Sequence, residues 1–423
     1  MKKEKKIAVL GLGYVGLPLL ICISKKFKCI GYDINKDIVN ELSGNIDSRN
    51  ILTETEFKKL KKLKFTNSIT DLKSYNVFII TVPTPIDKNN EPDLSMIISA
   101  TNIICKALKK GDLVIYESTV YPGVTEEICV PIIEKKLNFK LNQEFYCGYS
   151  PERVNPGDTE RTIDKIVKVT SGSNDYAAKE VDKLYKSIIP AGTFKAKSIK
   201  VAEMSKVIEN TQRDLNIGLM NEVALICQKL GIRTRDVLKA SKSKWNFLDF
   251  YPGLVGGHCI SVDPYYLTYK SKKISYNPDL ILAARRINDG LSKYIADQFI
   301  KGLKDKKIKI KNSNVIIFGG TFKENVSDSR NSKIFDIIKI FLKRKINVTL
   351  FDPLIYKSKL NPEFRKIIIK TPRNNYYDGI IYAVDHTEFK KFNLNKIKKL
   401  LKTKSFVYDI KSTLSSSIVD QSL

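Results

Sequence analysis

The sequence has no Cys-x-x-Cys pair, no zinc-finger spacing and no apolar run long enough to cross a bilayer. Each absence removes a class of protein. Its seven cysteines, at positions 22, 29, 105, 129, 147, 227 and 259, are odd in number and lie mostly in apolar runs. That pattern suits a reducing cytoplasm better than a disulfide framework, and no metal site is expected. A membrane span needs about 18 or more apolar residues in succession. The basic start, Lys2-Lys3-Glu4-Lys5-Lys6, followed by Ile7 to Ile23, could pass for a signal peptide. It lacks a small-x-small cleavage site, and glycines at 11, 13 and 16 interrupt the apolar stretch. The expectation is a soluble cytoplasmic protein without a membrane partner. A basic arm and an aromatic RNP pattern are missing too. The formal charge of +28 therefore reads as a lysine bias spread along the chain, without a nucleic-acid partner. Such a charge would attract small anionic substrates.

What is present points to an α/β protein of two or three domains, since 423 residues exceed what one core holds and 43% are apolar. The strand Lys6–Leu10 runs into Gly11-Leu-Gly13-Tyr14-Val15-Gly16, an apolar helix over 17–24 and a second strand that ends at Asp33, 22 residues after Gly11. Strand, glycine loop, helix, strand and acid together form a dinucleotide fingerprint. Gly11 makes the turn, Gly13 admits the pyrophosphate, and Gly16 lets helix and strand pack. The helix N-terminus faces the phosphates. Asp33 can accept from the ribose hydroxyls and would repel a 2′-phosphate, so the expected cofactor is NAD.

Further strands are expected at 77–82, 112–116, 145–149 and 167–172, alternating with helices in a parallel sheet covered on both faces. Ligands bind beyond the strand C-termini of such sheets. Thr81, Pro83, Thr119 and Glu152 all stand there, although Thr-Pro is also ordinary loop punctuation. From Ser198 to Gly231 the pattern becomes one long helix. Its apolar face comprises Val201, Met204, Val207, Ile208, Thr211, Leu215, Leu219, Met220, Val223 and Ile226. Lys206, Asn210 and Asp214 form a polar stripe at helical spacing, with Arg213 and Asn221 nearby. Such a stripe is usually a solvated face; buried, its lysine and amide would clamp an oxyanion.

Between Pro252 and Tyr266, Gly256 and Gly257 let the backbone bend and approach a ligand. His258, Cys259 and, one helical turn on, Asp263 follow. This is either a nucleophile turn or a tight bend around a small thiol. A further strand, 314–318, opens an echo of the N-terminal unit. Gly319-Gly320 replaces the full fingerprint, a longer loop carries Lys323 and Arg330, and a strand ends at Asp352. A thiol beside an NAD site suggests carrying an alcohol to an acid. The cysteine holds the aldehyde as a thiohemiacetal, a second hydride leaves, and the thioester is hydrolysed.

These stretches resemble the nucleotide-sugar 6-dehydrogenases, the UDP-glucose and GDP-mannose dehydrogenase family. The similar segments are GLGYVGLPL at 11–19, TVPTP at 81–85, ESTVYPGVTE at 117–126, YSPERVNPGD at 149–158, AEMSKVIENTQRDLNIGLMNE at 202–222, GLVGGHCISVDPYYL at 253–267 and TFKENVSDSRNS at 321–332. The resemblance implies an N-terminal Rossmann NAD domain (1–197), a central long-helix domain with the cysteine loop (198–303) and a C-terminal Rossmann-like UDP-binding domain (304–423). It also implies a homodimer paired through the central helix. It makes Cys259 the nucleophile, and Lys206 with Asn210 the oxyanion stabilisers. Asp263 and Thr119 orient water and relay protons, and Glu152 assists hydrolysis. Gly11, Gly13, Tyr14, Val15, Gly16, Asp33, Thr81, Pro83, Thr119 and Arg330 fall on the cofactor side. Glu152, Arg153, Lys206, Asn210, Gly256, Gly257 and Lys323 fall on the UDP-sugar side. Gly-His-Cys-Ile is similar to the subgroup that acts on UDP-N-acetylhexosamines, where UDP-glucose enzymes have Ser before the cysteine. Asp409-Ile-Lys411 likewise replaces an Asp-Gly-Arg pattern. The expectation is a UDP-N-acetylglucosamine 6-dehydrogenase serving surface polysaccharide or glycan assembly. The N-acetylmannosamine and N-acetylgalactosamine sugars stand as alternatives, and a UDP-glucose enzyme or a non-catalytic nucleotide-binding protein as rivals.

Overall fold

The computed structural model describes residues 4–49, 51, 52, 54–153, 162–357 and 360–423. Positions 154–158 of the Tyr149–Asp158 motif lie outside them. The chain divides into two compact units, Met1–Glu209 with Tyr265–Tyr276, and Asn210–Pro264 with Asn277–Leu423.

The N-terminal unit is built on strands β1 (Lys6–Leu10), β2 (Lys28–Tyr32), β3 (Phe65–Thr66), β4 (Val77–Ile80), β5 (Asp112–Tyr116), β6 (Phe145–Tyr149), β7 (Lys168–Gly172) and β8 (Thr193–Lys195). They form one sheet in the order β3-β2-β1-β4-β5-β6-β7-β8. Ile7, Ala8, Val9 and Leu10 are all buried, the mark of a strand covered on both sides, which needs a continuous apolar run rather than alternation. On one face Ile7, Val9, Ile79 and Ile115 pack with Leu17, Leu20 and Ile23 of helix α1 (Gly16–Ser24) and with Val181, Leu184 and Ile188 of α2 (Asp175–Ile188). The expected all-parallel arrangement fails at one place: β6 and β7 are antiparallel, with Gly148 opposite Gly172. An antiparallel neighbour needs no crossover helix, and the described part of that connection has only a short 3-10 turn, Ile163–Lys165.

In the C-terminal unit, β9 (Asn314–Phe318), β10 (Asn347–Phe351), β11 (Ile368–Ile369), β12 (Tyr377–Tyr382), β13 (Leu401–Asp409) and β14 (Gln421–Ser422) form a parallel sheet in the order β11-β10-β9-β12-β13-β14. Val315 and Ile317 face one apolar cluster, Ile316 and Phe318 another. Helix cover on both faces follows from that alternation. The echo seen in the sequence is therefore a second doubly wound sheet.

Helix α3 (Ile199–Leu230) spans 32 residues, about 48 Å at 1.5 Å per residue, and the division between the units falls within it, after Glu209. Its polar stripe is the buried one, contrary to the usual solvated reading. Glu203, Lys206, Asn210, Asp214 and Asn221 are at most 5% exposed, whereas Val201, Met204, Ile208, Leu219 and Ile226 are 37–53% exposed. The apolar face is divided, since its members Val207, Thr211 and Met220 are buried as well; periodicity identifies the stripes but not how much of each the chain covers. Burial is possible because each of these side chains makes at least one hydrogen bond. Glu203 accepts from the backbone N–H groups of Gly123 (2.5 Å) and Thr125 (3.0 Å). Arg285 Nη1 and Asn288 Nδ2, on α5 (Asp279–Asp305), each donate to Asp214 Oδ1 at 2.7 Å. Asn221 clasps Gly253 at both its N–H (2.7 Å) and its carbonyl (3.2 Å). One further helix, α4 (Asp263–Lys273), follows the cysteine loop.

Glu203 sets a testable pH dependence. Burial raises its pKa from 4.5 to about 7, against the lowering effect of the two N–H donors. The folded protein therefore holds a proton that the unfolded chain releases within that window, and stability falls as pH rises through it. The expected loss is roughly 3 kcal/mol. Chemical denaturation of wild type and Glu203→Gln at pH 5 and pH 8 checks this. The difference between the two proteins should widen in favour of the variant toward high pH; a constant difference contradicts it.

Candidate functional site

The glycine loop at the end of β1 shows why each glycine stands where it does. Gly11 has φ +95°, a left-handed conformation that disfavours side chains. A Cβ on Gly16 would lie 1.9 Å from the Gly11 carbonyl oxygen and 2.3 Å from Thr81 Oγ1. A Cβ on Gly13 would meet nothing within 4 Å. Gly11 thus serves the turn and Gly16 the packing, while Gly13 leaves a space above the backbone. No side chain caps the N-terminus of α1; Leu17 N–H donates to the Gly13 carbonyl at 3.1 Å and Pro18 has none, so the Gly16 N–H is the first-turn donor that faces an anion. Asp33 Oδ2 accepts from Leu12 N–H and Oδ1 from Asn35 N–H, both at 2.9 Å. The carboxylate is thus fixed at the end of β2 and remains half-buried. This combination fits NAD. Tyr14 and Val15 are half-buried at the mouth of the loop. The Thr81 hydroxyl is directed at the Gly11 carbonyl at 2.7 Å, so it shapes the loop. Pro83 is exposed, Thr119 is half-buried, and the Thr119 carbonyl accepts from Thr84 Oγ1 at 2.6 Å.

Glu152 heads a buried cluster in the same unit. Lys168 Nζ donates to Glu152 Oε2 at 2.6 Å and to Glu117 Oε2 at 2.7 Å. Tyr185 OH donates to Glu117 Oε1. Lys206 Nζ donates to the Glu152 carbonyl at 2.5 Å, and Arg153 pairs with Glu209 at 3.3 Å. Burial raises the pKa of Glu117 and pushes the Tyr185 hydroxyl far up. For Lys168 burial acts in the opposite sense, but the two carboxylates outweigh it and its pKa is raised. Sequence reasoning singled out Glu152 and Lys206 and missed Lys168 and Tyr185. The available signal was a lysine inside an apolar strand, Ile166-Val-Lys168-Val.

In the C-terminal unit the cysteine loop is held by the segment after β9. Asn331 Nδ2 donates to the Gly257 carbonyl at 3.2 Å, and Ser261 Oγ donates to the same oxygen at 2.7 Å. Gly257 has φ +84°, and a Cβ there would touch the Phe322 ring at 3.0 Å. A Cβ on Gly256 would meet the Asn331 carbonyl at 2.8 Å. Both glycines are therefore demanded by close approach of protein to protein. Cys259 O accepts from Asp263 N–H at 2.8 Å, which closes one turn and places the thiol just before α4. Asn210 Nδ2 donates to Asp263 Oδ2 at 2.5 Å, while the buried Asn210 Oδ1 accepts no hydrogen bond among the described residues. Cys259 is the one exposed cysteine of seven. Burial pushes the Cys22 and Cys29 thiols to about 11 and Cys129 to about 12, which keeps those thiols protonated and inert.

Arg330 forks onto Asp328, Nε to Oδ1 at 2.9 Å and Nη2 to Oδ2 at 2.6 Å. Removal of water from the His258 ring, and then the Arg330 guanidinium, lower the His258 pKa. Lys323 is half-buried in the same segment. Asp352, which ends β10 as Asp33 ends β2, is spent internally. Its Oδ2 faces Gly320 N–H (2.7 Å), Thr321 N–H (3.2 Å) and His386 Nε2 (3.1 Å), and Oδ1 takes Leu354 N–H at 2.8 Å. The second sheet thus keeps the shape of the first without its accessible acid.

Three models of the UDP-glucose/GDP-mannose dehydrogenase family match the chain: the NAD binding domain over residues 5–189, the central domain over 200–290 and the UDP binding domain over 316–416. A UDP-N-acetyl-D-glucosamine 6-dehydrogenase of Pseudomonas aeruginosa is 50% identical over 99% of both chains. One from Salmonella typhi is 48% identical over 99% of this chain and 98% of its own. Among solved structures, a UDP-D-ManNAc dehydrogenase from Pyrococcus horikoshii superposes with a TM-score of 0.86 at 32% identity, covering 97% of this chain and 96% of the other. Among the described residues no helix is long and apolar enough to cross a membrane.

The glycine geometry separates folding from cofactor binding. Gly16→Ala overpacks backbone and should cost roughly 1–3 kcal/mol. Gly13→Ala should leave thermal stability unchanged and weaken NAD binding about tenfold, or about 1.4 kcal/mol. Calorimetry for stability and titration calorimetry for NAD provide the check, and equal destabilisation by the two variants contradicts the reading.

Proposed function

The chain belongs to the UDP-glucose/GDP-mannose dehydrogenase family, and from that premise we propose that it oxidises C6 of a UDP-N-acetylhexosamine, UDP-N-acetylglucosamine first, to the uronate. The observation that carries the choice of sugar is the end-to-end identity of 50% and 48% with two UDP-N-acetylglucosamine enzymes, against 32–34% with UDP-N-acetylmannosamine enzymes that resemble it less. Cys259, the one exposed cysteine of the seven, supports the two-step route.

In this reading NAD, when bound, would supply the hydride acceptor for each of two oxidation steps, with two NAD used per sugar. The C6 alcohol first gives up a proton and a hydride to become the aldehyde. Cys259 Sγ then adds to C6 while the thiol proton passes to the C6 oxygen, and loss of the second hydride together with that hydroxyl proton converts the thiohemiacetal to a thioester. Water adds, the C–S bond breaks, and acid and free thiol result. The Lys206 ammonium, with Asn210 one turn along α3, stabilises the oxyanions. The open Asn210 acceptor suits a substrate hydroxyl, since a buried acceptor left unpaired costs roughly 1–3 kcal/mol. Asp263 and Thr119 orient water and relay protons, and Glu152 assists hydrolysis. Arg153, Gly256, Gly257 and Lys323 serve the UDP-sugar side. Gly11, Gly13, Tyr14, Val15, Gly16, Asp33, Thr81, Pro83 and Arg330 serve the cofactor side. The division into 1–197, 198–303 and 304–423, a cytoplasmic location and a role in glycan assembly complete the reading.

NADH absorbance with purified protein and a panel of UDP-sugars tests this. Two NADH should form per sugar consumed, fastest with UDP-N-acetylglucosamine. A preference for UDP-N-acetylmannosamine or UDP-N-acetylgalactosamine transfers the assignment to that sugar. One NADH per sugar rules out the two-step route.

The exposed apolar stripe of α3 suits a second copy of this chain, since a contiguous apolar patch on a water-soluble surface marks an interaction site. Light scattering should report a dimer for wild type. Charge inserted in the stripe by Ile208→Asp with Leu219→Asp should yield monomer, and an unchanged mass would place the contact elsewhere.

A further inference from the structure

Glu152 is one end of a chain of four buried groups, and the other three have no role in the reaction described above. Glu117, Glu152, Lys168 and Tyr185 are at most 7% exposed. They connect as Tyr185 OH to Glu117, Glu117 to Lys168 Nζ, and Lys168 Nζ to Glu152, with the two lysine contacts at 2.7 and 2.6 Å. Beside Glu152 lies a cavity of about 20 Å³, lined also by Arg153, Lys168, Lys206 and Glu209, which is room for a water molecule.

We propose that Glu117 is the resting place of the proton that Glu152 takes from the hydrolytic water, with Lys168 as the relay between them. The proposal rests on the reading of Glu152 as the group that assists thioester hydrolysis. As water attacks the thioester, its O–H bond breaks and the proton moves to Glu152. Lys168 Nζ accepts that proton from Glu152 Oε2 while passing one of its own to Glu117 Oε2, and so remains an ammonium. Glu117 becomes neutral, and the proton returns by the same route once the product has left.

Charge explains the direction. Two carboxylates and one ammonium leave the buried set at a formal charge of −1, which burial penalises. Protonating Glu117 leaves Lys168 and Glu152 as a neutral pair, so the last proton is held most comfortably at the far end. The raised pKa of Glu117, due first to burial, agrees. Tyr185, by donating to Glu117, stabilises its charged form and limits how tightly that proton is held. Among the described residues, Lys206 and Glu209 on α3, Arg153 in the Glu152 segment and Cys22 on α1 also lie around the set, the Cys22 thiol being raised first by burial and in small part by the Glu152 charge. Lys206 reaches the Glu152 main-chain carbonyl rather than its carboxylate. Arg153 is engaged by Glu209. Neither supplies a competing route for the proton.

Stopped-flow NADH kinetics across pH decide the matter, because the two hydrides leave before hydrolysis. Wild type with UDP-N-acetylglucosamine should give a burst of two NADH per site, then a slower steady rate limited by hydrolysis. Glu117→Gln keeps the shape of the site but cannot take the proton. It should retain the burst, lose about tenfold or more in the steady rate, and move the acidic limb of the steady-rate profile to lower pH. Tyr185→Phe should move the same limb to higher pH, because Glu117 then holds its proton more tightly; this variant decides by direction alone should Glu117→Gln not fold. Acidic limbs that stay in place, or shift the same way in both variants, overturn the proposal, as does loss of the burst in a folded Glu117→Gln. A wild type that forms no NADH with any UDP-sugar instead overturns the enzymatic reading, a result separable from either variant's behaviour.

Discussion

The burial of a polar helix face is the constraint on which the rest of the molecule depends. Five charged or amide side chains of α3 are removed from water, and each would cost several kcal/mol if left without a hydrogen bond. Their partners are therefore obligatory, and those partners include the segments to which the proposed reaction is assigned. Glu203 fixes the turn at Gly123 to Thr125. Lys206 fixes the backbone at Glu152. Asn210 fixes Asp263, and Asn221 fixes Gly253 at the start of the cysteine loop. The same residues that make the helix expensive to bury hold the loops in register.

The two sheets show how one architecture is put to two uses. At the end of β2, Asp33 keeps a half-buried carboxylate beside an uncapped helix N-terminus and an open glycine. At the end of β10, Asp352 has both oxygens committed to backbone and to His386. The Asn325 N–H donates to His386 Nδ1 at 2.9 Å, which leaves Nε2 to carry the ring proton toward Asp352. The loop that follows β9 is thereby immobilised from both ends, and Phe322 and Asn331 transmit that rigidity to Gly256 and Gly257.

Much of this is legible in the sequence where one local pattern carries one physical demand. The strand, glycine loop, helix and acid of residues 6–33 are such a pattern, and the structure gives each glycine the packing or clearance that its place implies. The long helix is legible as a helix, but which of its stripes is buried is not. That depends on partners such as Arg285 and Asn288, more than 60 residues away in sequence. The Glu117–Lys168–Tyr185 set is hidden for the same reason, being assembled from β5, β7 and α2. The antiparallel turn of β7 was missed because its sequence reads as one more apolar strand, and direction is decided by the connection rather than by the strand.

In the proposed reaction the substrate passes through a covalent bond to Cys259 Sγ. Rapid acid quench during turnover with UDP-N-acetylglucosamine and NAD, followed by peptide mass spectrometry, observes that step most directly. The account predicts an acyl adduct of the oxidised sugar on the peptide containing Cys259, present after two NADH have formed and before acid accumulates. Acid production with Cys259 unmodified at every quench time would contradict it.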